Sequence, residues 1–223
     1  MIKVLVLAGF LALMAVPPHA AATEGTATYD LLFRNGTLDS IDPEVSLVYR
    51  RDVTNMIRPD AAERDSGGIS LSVMPSDATM VQLMFQTDGK HRTLGQFPAS
   101  VGNPMIMYFY ETVVRDMAES AGGSPFYIRN RVKEALTQPA AFEEGEAVID
   151  GRNVPTVTVR LKPFEDDPNR DRMQGFADLE MRVTMSEEVP GWYLSLVAET
   201  APANRADAVY RSAVMFEGLE AAE

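Results

Sequence analysis

The stretch DLEMRVTM, residues 178–185, indicates the fold most directly, because apolar and polar side chains alternate along it without interruption. The apolar members are Leu179, Met181, Val183 and Met185, and the polar members are Asp178, Glu180, Arg182 and Thr184. In an extended chain these two sets point to opposite faces. The pattern therefore predicts a strand with one buried and one solvated face, which is typical of antiparallel sheets.

The same alternation recurs on both sides of this stretch, and hairpin signals such as Asp150-Gly151 and Pro190-Gly191 separate the segments that carry it. Together these features predict about nine strands, near residues 26–34, 44–52, 68–74, 79–87, 144–150, 155–163, 177–186, 191–199 and 208–217. The predicted fold is mainly β, of the α+β class. Its central element is a curved antiparallel sheet or half-open barrel.

A helical hairpin is expected to interrupt the strands in the middle of the chain. Asn103-Pro104 and Ser124-Pro125 each place an N-cap residue before a proline at the first helical position. Apolar residues then recur at helical spacing, and Gly122-Gly123 ends the first helix. We predict a hairpin at about residues 103–137, packed on the concave face of the sheet, within one domain of residues 23–223.

The N-terminus has the three parts of a secretory signal peptide: Lys3, an uncharged apolar run over residues 4–16, and small residues up to Ala22. The run is too short to cross a bilayer core of about 30 Å as a helix, which needs roughly 20 residues. We expect cleavage before Thr23, which removes residues 1–22 and leaves no integral membrane segment. The mature protein is therefore predicted to be soluble and periplasmic.

Composition excludes several classes of function. The chain has no cysteine, which excludes thiol nucleophiles and cysteine–zinc sites, and its net charge of −12 disfavours nucleic acid as a partner. His91 is the single histidine of the mature chain, and its neighbours Lys90 and Arg92 make it a poor general base. No phosphate loop, dinucleotide fingerprint or nucleophile elbow occurs, so we predict no cofactor and no catalytic residues.

Acidic residues offer two weaker possibilities. A carboxylate-dependent hydrolase could use one of three acidic runs, Glu143-Glu144, Glu165-Asp166-Asp167 or Glu187-Glu188. The segment 167–178 places oxygen ligands at spacings that partly match a calcium loop, but Arg172 stands where the loop needs glycine. We favour an acidic surface turn there and predict no metal site.

The first helix of the hairpin opens with six consecutive apolar or aromatic residues, 105–110, so its first turns are expected to be enclosed on all sides. A signal peptide, successive amphipathic strands and a mid-chain helical lid resemble the periplasmic lipoprotein carriers of the LolA/LolB type. In that family a concave sheet covered by helices holds acyl chains. The carriers begin with a helix, whereas this chain is predicted to begin with the strand Ala27–Phe33. Residues 103–136 are also similar to a segment of exported proteins with no assigned function.

We therefore predict a non-enzymatic protein that binds an apolar or lipidic ligand between the sheet and the helical hairpin. The predicted ligand contacts are Met105, Tyr108, Phe109 and Val113 from the helix and Leu83 and Phe85 from the sheet. Arg129 and Lys133 share a helix face and would meet an anionic head group. Two alternatives remain open: an envelope assembly module with a solid core and a protein partner, and the hydrolase.

Overall fold

The computed structural model describes residues 21–23, 25–200 and 208–222, which form ten strands, four α-helices and three short 3₁₀ helices. The strands are β1 (Ala21–Thr23), β2 (Val45–Asn55), β3 (Gly67–Met74), β4 (Asp77–Thr87), β5 (Lys90–Pro98), β6 (Ala140–Ile149), β7 (Arg152–Leu161), β8 (Leu179–Met185), β9 (Tyr193–Thr200) and β10 (Tyr210–Ala221). The α-helices are α1 (Gly25–Leu32), α2 (Pro59–Asp65), α3 (Met105–Ala121) and α4 (Pro125–Leu136). The 3₁₀ helices are Ala99–Val101, Arg170–Arg172 and Phe176–Asp178.

All ten strands belong to one antiparallel sheet in the order β1-β6-β7-β8-β9-β10-β2-β3-β4-β5. Strands β1 and β5 are the two edges, so the sheet within the described residues does not close into a barrel. The predicted mainly β fold with an open antiparallel sheet is therefore confirmed. In β8 the alternation of residues 179–185 becomes strict alternation of buried and half-buried side chains.

One predicted strand is wrong, because Ala27–Phe33 lies mostly in helix α1. Thr28 and Leu32, four residues apart, are buried, and the rings of Tyr29 and Phe33 stack with centroids 4.5 Å apart. These are the i, i+4 contacts of a helix.

Tertiary contacts hold the C-terminal end of α1. The last carbonyl groups of a helix have no partner within the helix. Here Trp192 Nε1 donates to the carbonyl of Leu31 at 3.1 Å, and the Tyr193 hydroxyl donates to the carbonyl of Leu32 at 2.6 Å. Tyr193 is the first residue of β9 and Trp192 directly precedes it, so both donors lie about 160 residues further along the chain. Local sequence carries no sign of this arrangement.

The helical hairpin is confirmed as α3 and α4. Asn103 Oδ1 accepts the backbone N–H of Met105 at 2.9 Å, and Asn103 Nδ2 donates to the Tyr49 hydroxyl and to the carbonyl of Gly191. Met105, Phe109 and Val113 on α3 are fully buried and share one hydrophobic core with the inward side chains of the sheet. Each such side chain contributes roughly 1.5–3 kcal/mol on burial.

None of the described helices is long and apolar enough to cross a membrane. The predicted signal peptide, residues 1–22, lies outside the described residues except for Ala21 and Ala22 in β1. Cleavage before Thr23 and export to the periplasm therefore stay predictions.

Candidate functional site

Most of the predicted ligand contacts lie in the packed core. Leu83, Phe85, Met105, Phe109 and Val113 have exposed fractions of 4% or less and belong to one cluster of buried apolar side chains. Their packing explains why the opening turns of α3 are apolar on all sides, since the sheet and the surrounding elements enclose them. A ligand could reach these side chains only if the core repacked.

An open groove lies between the hairpin and the edge of the sheet. It has a volume of about 650 Å³ and is lined mainly by apolar surface. Its walls include Leu94 from β5, Tyr108, Thr112 and Ala118 from α3, and Pro125 and Arg129 from the beginning of α4. The groove thus contains Tyr108 and Arg129 of the predicted ligand contacts, and it adds Leu94, Ala118 and Pro125, which were not among those predicted contacts.

Charged side chains stand along the rim of the groove. Arg129 donates through Nε and Nη2 to the two carboxylate oxygens of Glu111, at 2.8 and 2.7 Å. These hydrogen bonds lower the pKa of Glu111 below its usual value. Lys133, the other predicted head-group contact, is exposed one turn further along α4. The rim therefore carries the Arg129–Glu111 ion pair, and Lys133 is not among the side chains that line the groove.

A buried charge network lies beside the groove, next to Arg115 in its wall. Arg51, on the inward face of β2, is 1% exposed, and its Nη2 donates to Asp116 Oδ2 of α3 at 2.7 Å. The Tyr210 hydroxyl of β10 donates to the same oxygen at 2.8 Å, and Arg51 Nε donates to Ser212 Oγ at 3.3 Å. Burial and the nearby Asp116 raise the pKa of Tyr210 far above its usual value, so it remains a neutral donor.

Arg115 extends this network into the groove. Its Nη2 donates to Asp116 Oδ1 at 3.1 Å and to Asp65 Oδ2 of α2 at 2.9 Å, and the residue also lines the groove. Arg64 completes the cluster by donating to both carboxylate oxygens of Asp65. The network therefore fixes α2 and α3 against the sheet and holds one wall of the groove in place.

The sequence contains a sign of this network that our prediction missed. Leu47, Tyr49, Arg51 and Val53 alternate along β2, and the first three are buried on one face. An arginine in the apolar phase of a strand requires a buried partner. The guanidinium carbon of Arg51 also lies 5.9 Å from the centre of the Tyr108 ring, which connects the buried charge to the groove.

Two further pockets among the described residues are predominantly polar. One, of about 710 Å³, is lined by several ion-pairing side chains, including Arg131, Arg160 and Lys162. The other, of about 500 Å³, lies beside Trp192 and includes Arg34 and Glu187, which form an ion pair. Neither combines apolar walls with a charged rim as the groove does.

In each of the three acidic runs proposed for hydrolysis, one glutamate pairs with a cation. Glu143 pairs with Arg160, Glu165 with Lys162, and Glu187 with Arg34. These partners come from strand and loop surfaces, where ion pairs are worth little because solvent screens them.

In the proposed calcium loop, the carboxylate of Asp167 is already engaged. Both of its oxygens accept from the Tyr127 hydroxyl at 2.8 Å, and Arg131 lies 2.8 Å from one of them. Asp178, at the far end of the loop, pairs with Arg170. Among the described residues, no group of three or more histidine, aspartate or glutamate side chains is arranged to hold a metal ion.

These features define a mainly β protein with an open antiparallel sheet, a helical hairpin packed against it and an apolar groove at the sheet edge. No protein-family model and no curated protein matches the chain. Among solved structures it is similar to the lipoprotein LppX of Mycobacterium tuberculosis, with a TM-score of 0.33 and 10% identity. The match covers 88% of this chain and 99% of that chain, but a similarity of this strength says nothing about a ligand.

Proposed function

We propose that this protein is a non-enzymatic envelope protein that binds an apolar or lipidic ligand in the groove between β5 and the helical hairpin. The proposal rests on one observation: an open groove of about 650 Å³ combines mainly apolar walls with an arginine at its rim. Sites for small ligands usually have volumes of about 300–1,000 Å³, apolar walls and a few polar groups that set orientation. A periplasmic location depends on the predicted signal peptide.

The proposed binding mode follows from the lining of the groove. The apolar part of the ligand lies over Leu94, Tyr108 and Ala118, and its polar end lies near Arg129. This places the ligand at the outer margin of the space between sheet and hairpin. The interior of that space is filled by the core side chains, including Phe109 and Val113.

A fluorescent fatty acid provides the test. Ala118→Trp fills the groove and is expected to weaken fatty-acid binding by at least about tenfold, because an indole replaces the ligand along the apolar wall. Ala135→Trp is the matched control, since Ala135 is a half-buried alanine on α4 that lines the polar pocket of about 710 Å³. Equal affinities for both variants would contradict the proposed site. Circular dichroism of each variant checks that it is folded.

The packed core favours a second candidate, the assembly module with a protein partner. Under this hypothesis the apolar side chains from Leu83 to Val113 serve only to stabilise the fold. Native mass spectrometry of the protein purified from the periplasm without detergent separates the two candidates. A lipid in near-stoichiometric amount supports the groove, whereas a ligand-free mass with no uptake of added fatty acid supports the assembly module.

A further inference from the structure

The turn between α3 and α4 forms an exposed tip with an unusual aromatic residue. Six consecutive residues, 122–127, are exposed. Phe126 is 76% exposed, more than any other large apolar side chain among the described residues. A phenylalanine exposed to water does not gain the favourable free energy of apolar burial unless a partner covers its ring.

The charges beside this aromatic ring suggest the chemistry of the partner. The guanidinium carbon of Arg129 lies 5.9 Å from the centre of the Phe126 ring. Lys133 follows one turn later, so that residues 126, 129 and 133 share one face of α4. The chain carries a net charge of −12, so its body is repelled from anionic surfaces. Arg129 is paired with Glu111, which offsets its charge, so the exposed Lys133 supplies the net positive charge of this face. Lys133 can meet a phosphate group, while Phe126 suits the apolar layer beneath such groups.

The tip is also continuous with the groove. The groove is lined in part by Gly123 from the turn and by Pro125 and Arg129 from the beginning of α4. An apolar molecule that leaves a bilayer beside Phe126 would therefore meet the groove directly, without crossing the acidic surface of the protein. Covering the tip with lipid would at the same time cover one end of the groove.

We propose that the hairpin tip, through Phe126, Arg129 and Lys133, docks this protein reversibly on a phospholipid surface, where the groove takes up or releases its ligand. This inference rests on the proposed function, because the phospholipid surface is the proposed source of the ligand that the groove binds. One aromatic side chain, together with Lys133 and the Glu111-paired Arg129, gives weak, reversible attachment, because stable anchoring requires a larger apolar insertion.

Vesicle flotation tests the docking step with the full protein purified after export. Phosphatidylcholine vesicles probe the apolar contact, and vesicles that also contain phosphatidylglycerol probe the contribution of the cations. We expect the wild-type protein to float with both, and more strongly with the second. Phe126→Ser is expected to reduce binding about tenfold, as loss of a buried aromatic contact requires. Lys133→Glu should remove the preference for phosphatidylglycerol.

Leu219→Ser is the matched control, because Leu219 is 49% exposed on β10 and pairs with Leu47 near the start of β2. The opposite end of β2 is the one near the tip, since Asn55 donates to Ser120 Oγ of α3. Leu219→Ser should bind vesicles as the wild-type protein does. Equal vesicle binding by Phe126→Ser and wild-type protein would overturn the docking proposal. So would a wild-type protein that floats with neither vesicle, and the tip would then be a candidate contact for a protein partner.

A second measurement separates this proposal from the proposed function. A short-chain fluorescent lipid, supplied below the concentration at which it forms micelles, reaches the groove without a membrane. Phe126→Ser should take up this probe normally, whereas Ala118→Trp should not, although Ala118→Trp should still float with vesicles. Uptake of soluble probe by a protein that never binds vesicles would overturn docking and leave the groove intact. Flotation through Phe126 without any uptake would contradict the groove and support docking.

Discussion

Neutralising Asp116 should destabilise the protein severely, because it leaves the buried guanidinium of Arg51 without its ion-pair partner. The two side chains are 1% and 5% exposed, and their ionised atoms lie 2.7 Å apart. Breaking a buried pair by removing one charge usually costs about 3–5 kcal/mol. Asp116→Asn keeps the shape and an acceptor oxygen, and Asp65 still acts on Arg51 from a distance. We therefore expect a loss near the lower limit, about 3 kcal/mol.

The neighbouring residue on β2 supplies an internal control. Arg50 points to the opposite face and pairs with Glu217, and these side chains are 52% and 42% exposed. Removing that pair with Glu217→Gln should cost less than about 1 kcal/mol, because exposed ion pairs are screened by water. Urea unfolding followed by circular dichroism and by the fluorescence of Trp192 measures both variants, provided that the two signals coincide.

A smaller loss for Asp116→Asn than for Glu217→Gln would refute the reasoning. A double variant gives a second test, since Arg51→Met with Asp116→Leu removes both charges together. Replacing a buried pair by apolar residues of similar volume is often close to neutral. The double variant should therefore be more stable than Asp116→Asn alone. If it is less stable, the network contributes through its hydrogen bonds to Tyr210 and Ser212 rather than through charge.

The remaining predictions concern pH, backbone strain and calcium. Burial raises the pKa of Asp65, but its arginine neighbours outweigh burial and hold that pKa below its usual value. The associated stabilisation is therefore present above the unfolded-state pKa of about 4 and is lost as pH falls through the lower, folded-state pKa. In acid, the free energy of unfolding of Asp65→Asn should therefore decline less with falling pH than that of the wild-type protein. An equal decline in both proteins would contradict this assignment. Gly191→Ala should be clearly less stable than Gly89→Ala in urea unfolding. Both glycines have φ near +70°, so the backbone strain of an added side chain is similar at the two positions. An added Cβ at Gly191 would also lie 2.6 Å from Leu47 Cδ1, whereas Gly89 has open space. Calcium should leave the thermal midpoint unchanged because Asp167 is already bonded to Tyr127 and paired with Arg131, and a midpoint that rises with calcium would contradict this.

The strands and the hairpin could be predicted because their signals are local. In residues 179–185 every second side chain is buried, so the alternation in the sequence is the alternation of the two faces of β8. Asn103 and Gly122-Gly123 mark the start and end of α3. The backbone groups at a helix end lack partners within the helix, and the residues that satisfy or terminate them are close in sequence. Helix α1 could not be predicted in this way, because Trp192 and Tyr193, which are distant in sequence, donate hydrogen bonds to its last carbonyl groups.

The residues of the candidate site likewise fall into those that local sequence could predict and those that it could not. Tyr108 and Arg129 were recognisable from the sequence as an aromatic residue and a cation on the two helices of the hairpin, and both lie at the groove. Leu94 and Ala118 were not, because neither is unusual until the tertiary fold places β5 beside α3. The periodicity of a sequence determines which face of each element is apolar, as it did for α3. Only the packing of elements distant in sequence decides whether that face becomes solid core, as at Phe109, or remains an open groove, as at Ala118.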